Sequence, residues 1–354
     1  MPHSRRIAAL RERLSADSAA SALALSPESR RWLTGFTGSN GQVIVDADRV
    51  ILLTDGRYRA QAAAEAGSVV DDIVIYEAFE EAAARLLMGD VAVESSALTF
   101  EQWTRWAGAL PAVRLLDGGT VWQGLRAVKD EAEIAAIREA VKRAEAAWQA
   151  VEPTVAPGRV ERDIALALEW HMRKAGTHRV PFDFIVASGE RSALPHGVAG
   201  DRVLAAGDAL TIDFGAEADG YFSDMTFSGS LGGDSWVAEI CAVLVDAQAA
   251  AMAAIAPGVA CREVDRAARS VIEQAGFAKA FVHSLGHGVG LAIHEAPTLS
   301  RRSADVLATG MVVTVEPGIY VPGRGGARLE DMVLVTDHGA ERLTTVPKAG
   351  MVWG

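Results

Sequence analysis

Residues 156–176 read APGRVERDIALALEWHMRKAG, and residues 256–276 read APGVACREVDRAARSVIEQAG. The two stretches have equal length, open on Ala-Pro-Gly and close on Ala-Gly. Arg162 aligns with Arg262, Asp163 with Glu263, Ile164 with Val264, and Ala167 with Ala267. Each stretch predicts a Pro-Gly turn, a helix, and a glycine cap leading to a strand. One shared tripeptide would be a common coincidence; matched ends at equal length are not. The second part of the chain is therefore expected to be two related α/β halves with a site between them.

Between the repeats, residues 210–231 read LTIDFGAEADGYFSDMTFSGSL, a β-hairpin pattern with Asp219-Gly220 as the turn signal. If those two residues form the loop, Asp224 lies opposite Gly215 and diagonal to Asp213. If the loop is Ala218-Asp219, Asp224 lies directly opposite Asp213. Either register puts both carboxylates on one face, because side chains alternate with period 2. Two like charges that close repel unless something positive lies between them. On these residues alone, a capping aspartate beside a solvated one is an equal reading.

Two later strands break the tie. In MVVTVEPGIYV (residues 311–321) Glu316 ends an apolar run, where an unpaired charge is costly. In ARLEDMVLVT (residues 327–336) alternation puts Arg328 and Glu330 on one face, with Leu329, Asp331 and Val333 on the other. Residues 283–297, HSLGHGVGLAIHEAP, add His283, His287 and His294 among glycines that suit close backbone approach and disfavour a helix. Four carboxylates with one glycine-flanked histidine have the composition of a dinuclear metal site, and one nitrogen among oxygens favours Mn²⁺, Co²⁺ or Zn²⁺. A phosphate-loop reading of GHGVG fails on its G-x-G-x-G spacing.

The 354 residues suggest two domains, half the residues are hydrophobic, and the formal net charge is −12. That charge argues against nucleic acid or anionic membrane as a partner. The N-terminus lacks the apolar run of a signal peptide, and later apolar stretches are broken by Glu, Gly or Asp. Cys241 and Cys261 lack metal-site spacing and read as reduced. A cytoplasmic protein is expected. Residues 41–58 hold two apolar runs about an Asp-Ala-Asp turn, a hairpin. From Asp130, a capping box with Glu133 precedes Ile134, Ile137, Val141 and Trp148 at helical spacing. The domain boundary is expected just before this helix, giving 1–123 and 124–354.

The ordered set Asp213, Asp224, His287, Glu316 and Glu330, within DFG, SDMT, GHGVGL, VEPGIY and RLED, resembles the pita-bread metallopeptidases. Within them it is most similar to the Xaa-Pro peptidases, prolidase (Xaa-Pro dipeptidase) and aminopeptidase P. WLTGFTGSNG from Trp32 and LLTDGRYRAQA from Leu52 resemble the creatinase-type N-terminal domain. The resemblance implies an α/β (α+β) fold with a pita-bread catalytic domain of internal pseudo-two-fold behind that smaller domain. It implies that the five residues ligate two divalent metal ions, with Mn²⁺ first, and that a bridging hydroxide hydrolyses the Xaa-Pro imide bond. Glu316 would move the proton, His196 and His294 would contact substrate and steady the transition state, and His283 would lie near substrate. Arg328 matches an arginine of aminopeptidase P-like members. It further implies a homodimer acting on small peptides with proline second. Dipeptides are favoured, with Arg57 or Arg49 as the captor of the terminal carboxylate. Alternatives are an aminopeptidase for longer peptides and a non-catalytic pita-bread binding module; methionine aminopeptidase ranks lower because it generally lacks the front domain.

Overall fold

The computed structural model describes residues 2–348 and 351–354. Two units divide the chain, Met1–Arg126 and Ala127–Gly354. In the first, the Asp-Ala-Asp turn joins strands Gln42–Asp46 and Val50–Thr54, paired antiparallel with Val45 opposite Val50. They sit inside a mixed six-stranded sheet. Its core includes Leu23, Ile44, Ile51, Leu53, Phe79 and Trp106, where inward residues of the strands meet the flanking helices.

The second unit opens on the helix Glu131–Val151, whose N-terminus carries the capping box of Asp130 and Glu133. Its Trp148 stacks on Phe227 at a centroid distance of 4.5 Å, fixing the helix to the strand Met225–Leu231. That strand belongs to a four-stranded sheet with Ile185–Ser188, Ala209–Phe214 and Met351–Trp353. A five-stranded sheet carries Glu295–Leu299, Gly286–Gly288, Val312–Val315, Asp331–Thr336 and Gly339–Arg342. A bridge between Thr226 and Glu330 links the two sheets.

The sequence repeat is a structural repeat. The helices are Glu161–Lys174 and Cys261–Gln274. Gly158 donates its N–H to Leu204 at 2.8 Å, and Gly258 does the same to Leu307 at 2.8 Å. Val160 bridges Val203 as Ala260 bridges Val306. Both helices end on a left-handed glycine, Gly176 (φ 97°) and Gly276 (φ 89°), where a side chain would be strained. Each helix therefore starts and stops by the same local chemistry.

The helix Ser235–Ala254 departs from the expectation of broken apolar runs. By length and composition it could cross a membrane, despite Glu239 and Asp246. In the fold its Ile240, Leu244 and Ala251 lie in a core with Val264, Ile272, Val313 and Val333. Its apolar face is that of a core helix.

Candidate metal centre and catalytic cavity

The hairpin takes the first of the two expected registers. Ala218 pairs with Tyr221 across Asp219-Gly220, and both loop residues have positive φ (47° and 78°), as a type I′ turn requires. Asp213 therefore pairs with Thr226, and Asp224 lies diagonal to it on the same face. Thr226 then bridges Glu330 and donates its hydroxyl to the Glu330 carboxylate at 2.6 Å. One strand pair thus gathers Asp213 and Asp224 and, from more than a hundred residues further along the chain, Glu330.

The glycines of the histidine segment answer to close backbone approach. A Cβ on Gly286 would stand 2.0 Å from the Thr314 carbonyl oxygen, and one on Gly288 2.2 Å from that of Ala296. Only a bare backbone lets His287 sit between these strands. Its Nδ1 contacts the Gly288 carbonyl at 3.1 Å, the tautomer that leaves Nε2 as an acceptor. Nε2 faces Glu316 at 3.4 Å and Asp224 at 3.7 Å. One oxygen each of Asp224 and Glu330 and one nitrogen of His287 lie within 4.8 Å of one another.

Five of the expected residues, Asp213, Asp224, His287, Glu316 and Glu330, line one cavity of about 540 Å³. His196, His283, His294 and Arg328 line the same cavity. Arg57 does not: it lies in the first unit, exposed, paired with Asp55 at 2.8 Å. Arg49 likewise pairs with Asp46, at 3.0 Å.

Electrostatics define what the cavity suits. Burial, then Glu330 and Asp213, push the Asp224 carboxyl well above the usual carboxylate range. Burial, then Glu330, does the same to Glu316. Burial, then Asp213, brings Glu330 up to about 7. Oδ1 of Asp213 and Oδ1 of Asp224 are buried without a hydrogen-bond partner. Orphaned carboxylate oxygens are costly alone, and they are what an oxygen-seeking cation binds. Burial, then His294, lowers His287 to about 4, keeping it neutral as a ligand must be. The donor set fits divalent metal ions.

Among the described residues, Arg328 is the one guanidinium lining this cavity. It donates to Asp213 at 2.6 Å, Thr226 at 3.2 Å, the Pro195 carbonyl at 3.0 Å and the Tyr320 hydroxyl at 2.8 Å. Burial works to lower its pKa, but Tyr320 and Asp213 more than reverse that. The Tyr320 hydroxyl also lies 3.0 Å from His283 Nε2. Tyr320 and Thr226 escaped sequence reasoning. Both were findable: Thr226 is the cross-strand neighbour of Asp213, and Tyr320 ends the VEPGIY stretch. Asp183 is a further cavity residue. Asp331 faces away, as alternation requires, and pairs with Lys348 at 3.0 Å.

With this geometry in hand, likeness to known proteins can be placed. Residues 135–337 match Metallopeptidase family M24, and residues 6–128 match the Creatinase/Prolidase N-terminal domain. The chain belongs to metallopeptidase family M24, a metal-dependent family with the pita-bread fold. It is 38% identical to the uncharacterized peptidase YqhT of Bacillus subtilis over 90% of this chain and 91% of that one. The solved structure of an Xaa-Pro dipeptidase from Bacillus anthracis superposes with a TM-score of 0.93 at 37% identity, covering 99% of each chain. That of an X-Pro aminopeptidase from Thermotoga maritima gives 0.89 at 34% identity, covering 98% of this chain and 99% of that one.

Proposed function

We propose that this metallopeptidase hydrolyses the Xaa-Pro bond of dipeptides. The observation that carries the reading is the convergence of five ligand-type groups, two with orphaned buried oxygens, in a cavity rimmed by three further histidines. Asp213, Asp224, His287, Glu316 and Glu330 would hold two divalent cations, Mn²⁺ first, Co²⁺ or Zn²⁺ next. Such ions, when bound, polarise a carbonyl and lower the pKa of water to near neutrality.

The chain's own groups do the rest. Glu316 takes the proton of the attacking water and passes it to the prolyl nitrogen, a role suited to a carboxyl that lines the cavity beside the other acids. His294 and His196, both exposed on the cavity wall, contact the scissile carbonyl and the prolyl side. His283 stands behind them near the substrate, tied to Tyr320. Arg328 keeps one oxygen of Asp213 engaged, leaving the other free for a ligand role. Arg57 or Arg49, neither of which lines the cavity of its own chain, would capture the dipeptide carboxylate in bidentate fashion by reaching it from the partner of a dimer. We further propose that the enzyme works as a cytoplasmic homodimer.

The second reading, an aminopeptidase for longer peptides, is favoured by the likeness to the Thermotoga maritima enzyme across 98% of this chain. Proline release from Leu-Pro and Ala-Pro beside Ala-Pro-Ala separates the two. Metal-stripped protein should regain cleavage with Mn²⁺, and dipeptides should be the better substrates. Preference for Ala-Pro-Ala would select the aminopeptidase, and no cleavage with any metal would select a binding module. In Arg57→Ala the KM for Leu-Pro should rise about tenfold with Ala-Pro-Ala spared; equal effects would dismiss carboxylate capture.

A further inference from the structure

The loop that carries His294 is built around a buried charge pair set apart from the cavity lining. Lys129 Nζ lies 2.8 Å from Glu295 Oε1, with the two side chains 1% and 7% exposed. Neither residue lines the catalytic cavity. Lys129 is itself fixed. Its backbone N–H donates to Gly310 at 2.9 Å, its Nζ donates to the Ala127 carbonyl at 3.1 Å, and Val128 bridges Met311. The lysine therefore projects from a segment anchored to the strand that leads to Glu316.

Glu295 in turn organises the loop between His287 and the strand Glu295–Leu299. Its Oε2 accepts the Ala292 N–H at 3.4 Å. A Cβ on Gly290 would meet Oε1 at 2.2 Å, so a side chain there would displace this carboxylate. Gly290 donates to the Ala292 carbonyl at 3.0 Å and accepts from Phe222 at 2.9 Å. The strand register shifts between His287 and Gly288, where this loop leaves the sheet. The result sets the His294 ring 4.3 Å from the His287 ring, on the cavity wall.

We propose that the Lys129–Glu295 ion pair is a positioning device that holds the loop, and with it His294, in place over the scissile bond. Resting on the reading of His294 as a substrate-side group, it adds two residues to the catalytic apparatus that act only through that histidine. A buried carboxylate deprived of its cation is strongly unfavourable. Without Lys129, Glu295 would turn toward water and draw its neighbour His294 with it. A small misplacement of a catalytic group costs rate more than binding.

The test is a double-mutant cycle on the Mn²⁺-loaded enzyme with Leu-Pro, combining Lys129→Met with His294→Ala. Lys129→Met should lower kcat about 10–100-fold with KM within about twofold, and Lys129→Arg should restore most of it. In the His294→Ala background the same substitution should cost less than about twofold, because the group it positions is gone. Equal losses in both backgrounds, or an unchanged kcat per folded molecule with only a lower Tm, would overturn the proposal. Should Lys129→Met not fold, Glu295→Gln runs through the same cycle. A crystal structure of the variant gives a readout independent of substrate: His294 displaced supports the device, and His294 in place refutes it. If the wild type releases no proline, the proposed function has failed, while that displacement still decides the inference.

Discussion

The two halves of the second unit share a scaffold and use it differently. In the first half, Glu161 opens the repeat helix fully buried and accepts from the Ser188 N–H at 2.9 Å, the Ser188 hydroxyl at 2.7 Å, Arg191 and Gly200. It thereby holds both ends of the loop bearing His196. In the second half the equivalent position is Cys261, and the task passes one turn along to Asp265 and Arg269. Asp265 accepts the Leu285 N–H at 3.2 Å, while Arg269 donates to Phe281 at 3.0 Å and His283 at 2.9 Å. Each half uses its duplicated helix to anchor the segment that brings histidine to the cavity. They diverge in what they add: regular strands with Asp213 and Asp224 in the first, glycine-thinned strands with His287, Glu316 and Glu330 in the second. A duplicated framework fixes where a site lies, and unequal substitutions decide its chemistry.

If the site needs both halves equally, one residue from each suffices to show it. Asp224→Ala and Glu316→Ala should each reduce turnover about 10³-fold or more with the fold retained, as judged by circular dichroism. Full activity in either would break the comparison, leaving one half as mere support. Arg328 is the cross-half tie, reaching from Glu330's strand segment to Asp213 of the first half. Arg328→Lys keeps the charge but cannot serve four acceptors in a planar fork, so kcat should fall about 10–100-fold. A loss confined to KM would place the arginine on substrate rather than between the halves.

The smallest effect is thermodynamic. In metal-free protein the carboxyls of Asp224, Glu316 and Glu330 have folded-state pKa values raised above their unfolded ones, Glu330 from 4.5 to about 7. Below the unfolded value both states are protonated, and the repulsion is absent. As pH rises the unfolded state ionises first, so stability falls from about pH 4.5 until the folded group ionises near 7. The gap in Tm between Mn²⁺-loaded and chelated protein should widen by about 5 °C or more over that interval. A gap independent of pH would mean that the carboxylates of the two halves do not share one charge deficit.

Much of this was legible in the chain. The repeat, the capping box, the hairpin with its register left open and the shared face of Arg328 and Glu330 all follow from local periodicity, which the backbone obeys whatever the surroundings. That the five ligand-type residues and His196, His283 and His294 would share one cavity was legible through motif order. The place of Ser235–Ala254 as a core helix was not, because an apolar helix carries no mark of which apolar surface it will meet. Thr226 and Tyr320 were missed because hydroxyls that brace a site look like any others until their partners arrive.

The sequence by itself determined the elements, their caps, and the alternation that places each acid on its face, since these depend on neighbours within a few residues. Only the tertiary structure decided the hairpin register among two equal choices. It alone brought Thr226 against Glu330 and set Lys129 against Glu295. Such contacts span more than a hundred residues, and their energy exists only once burial has removed the water that would otherwise satisfy each charge.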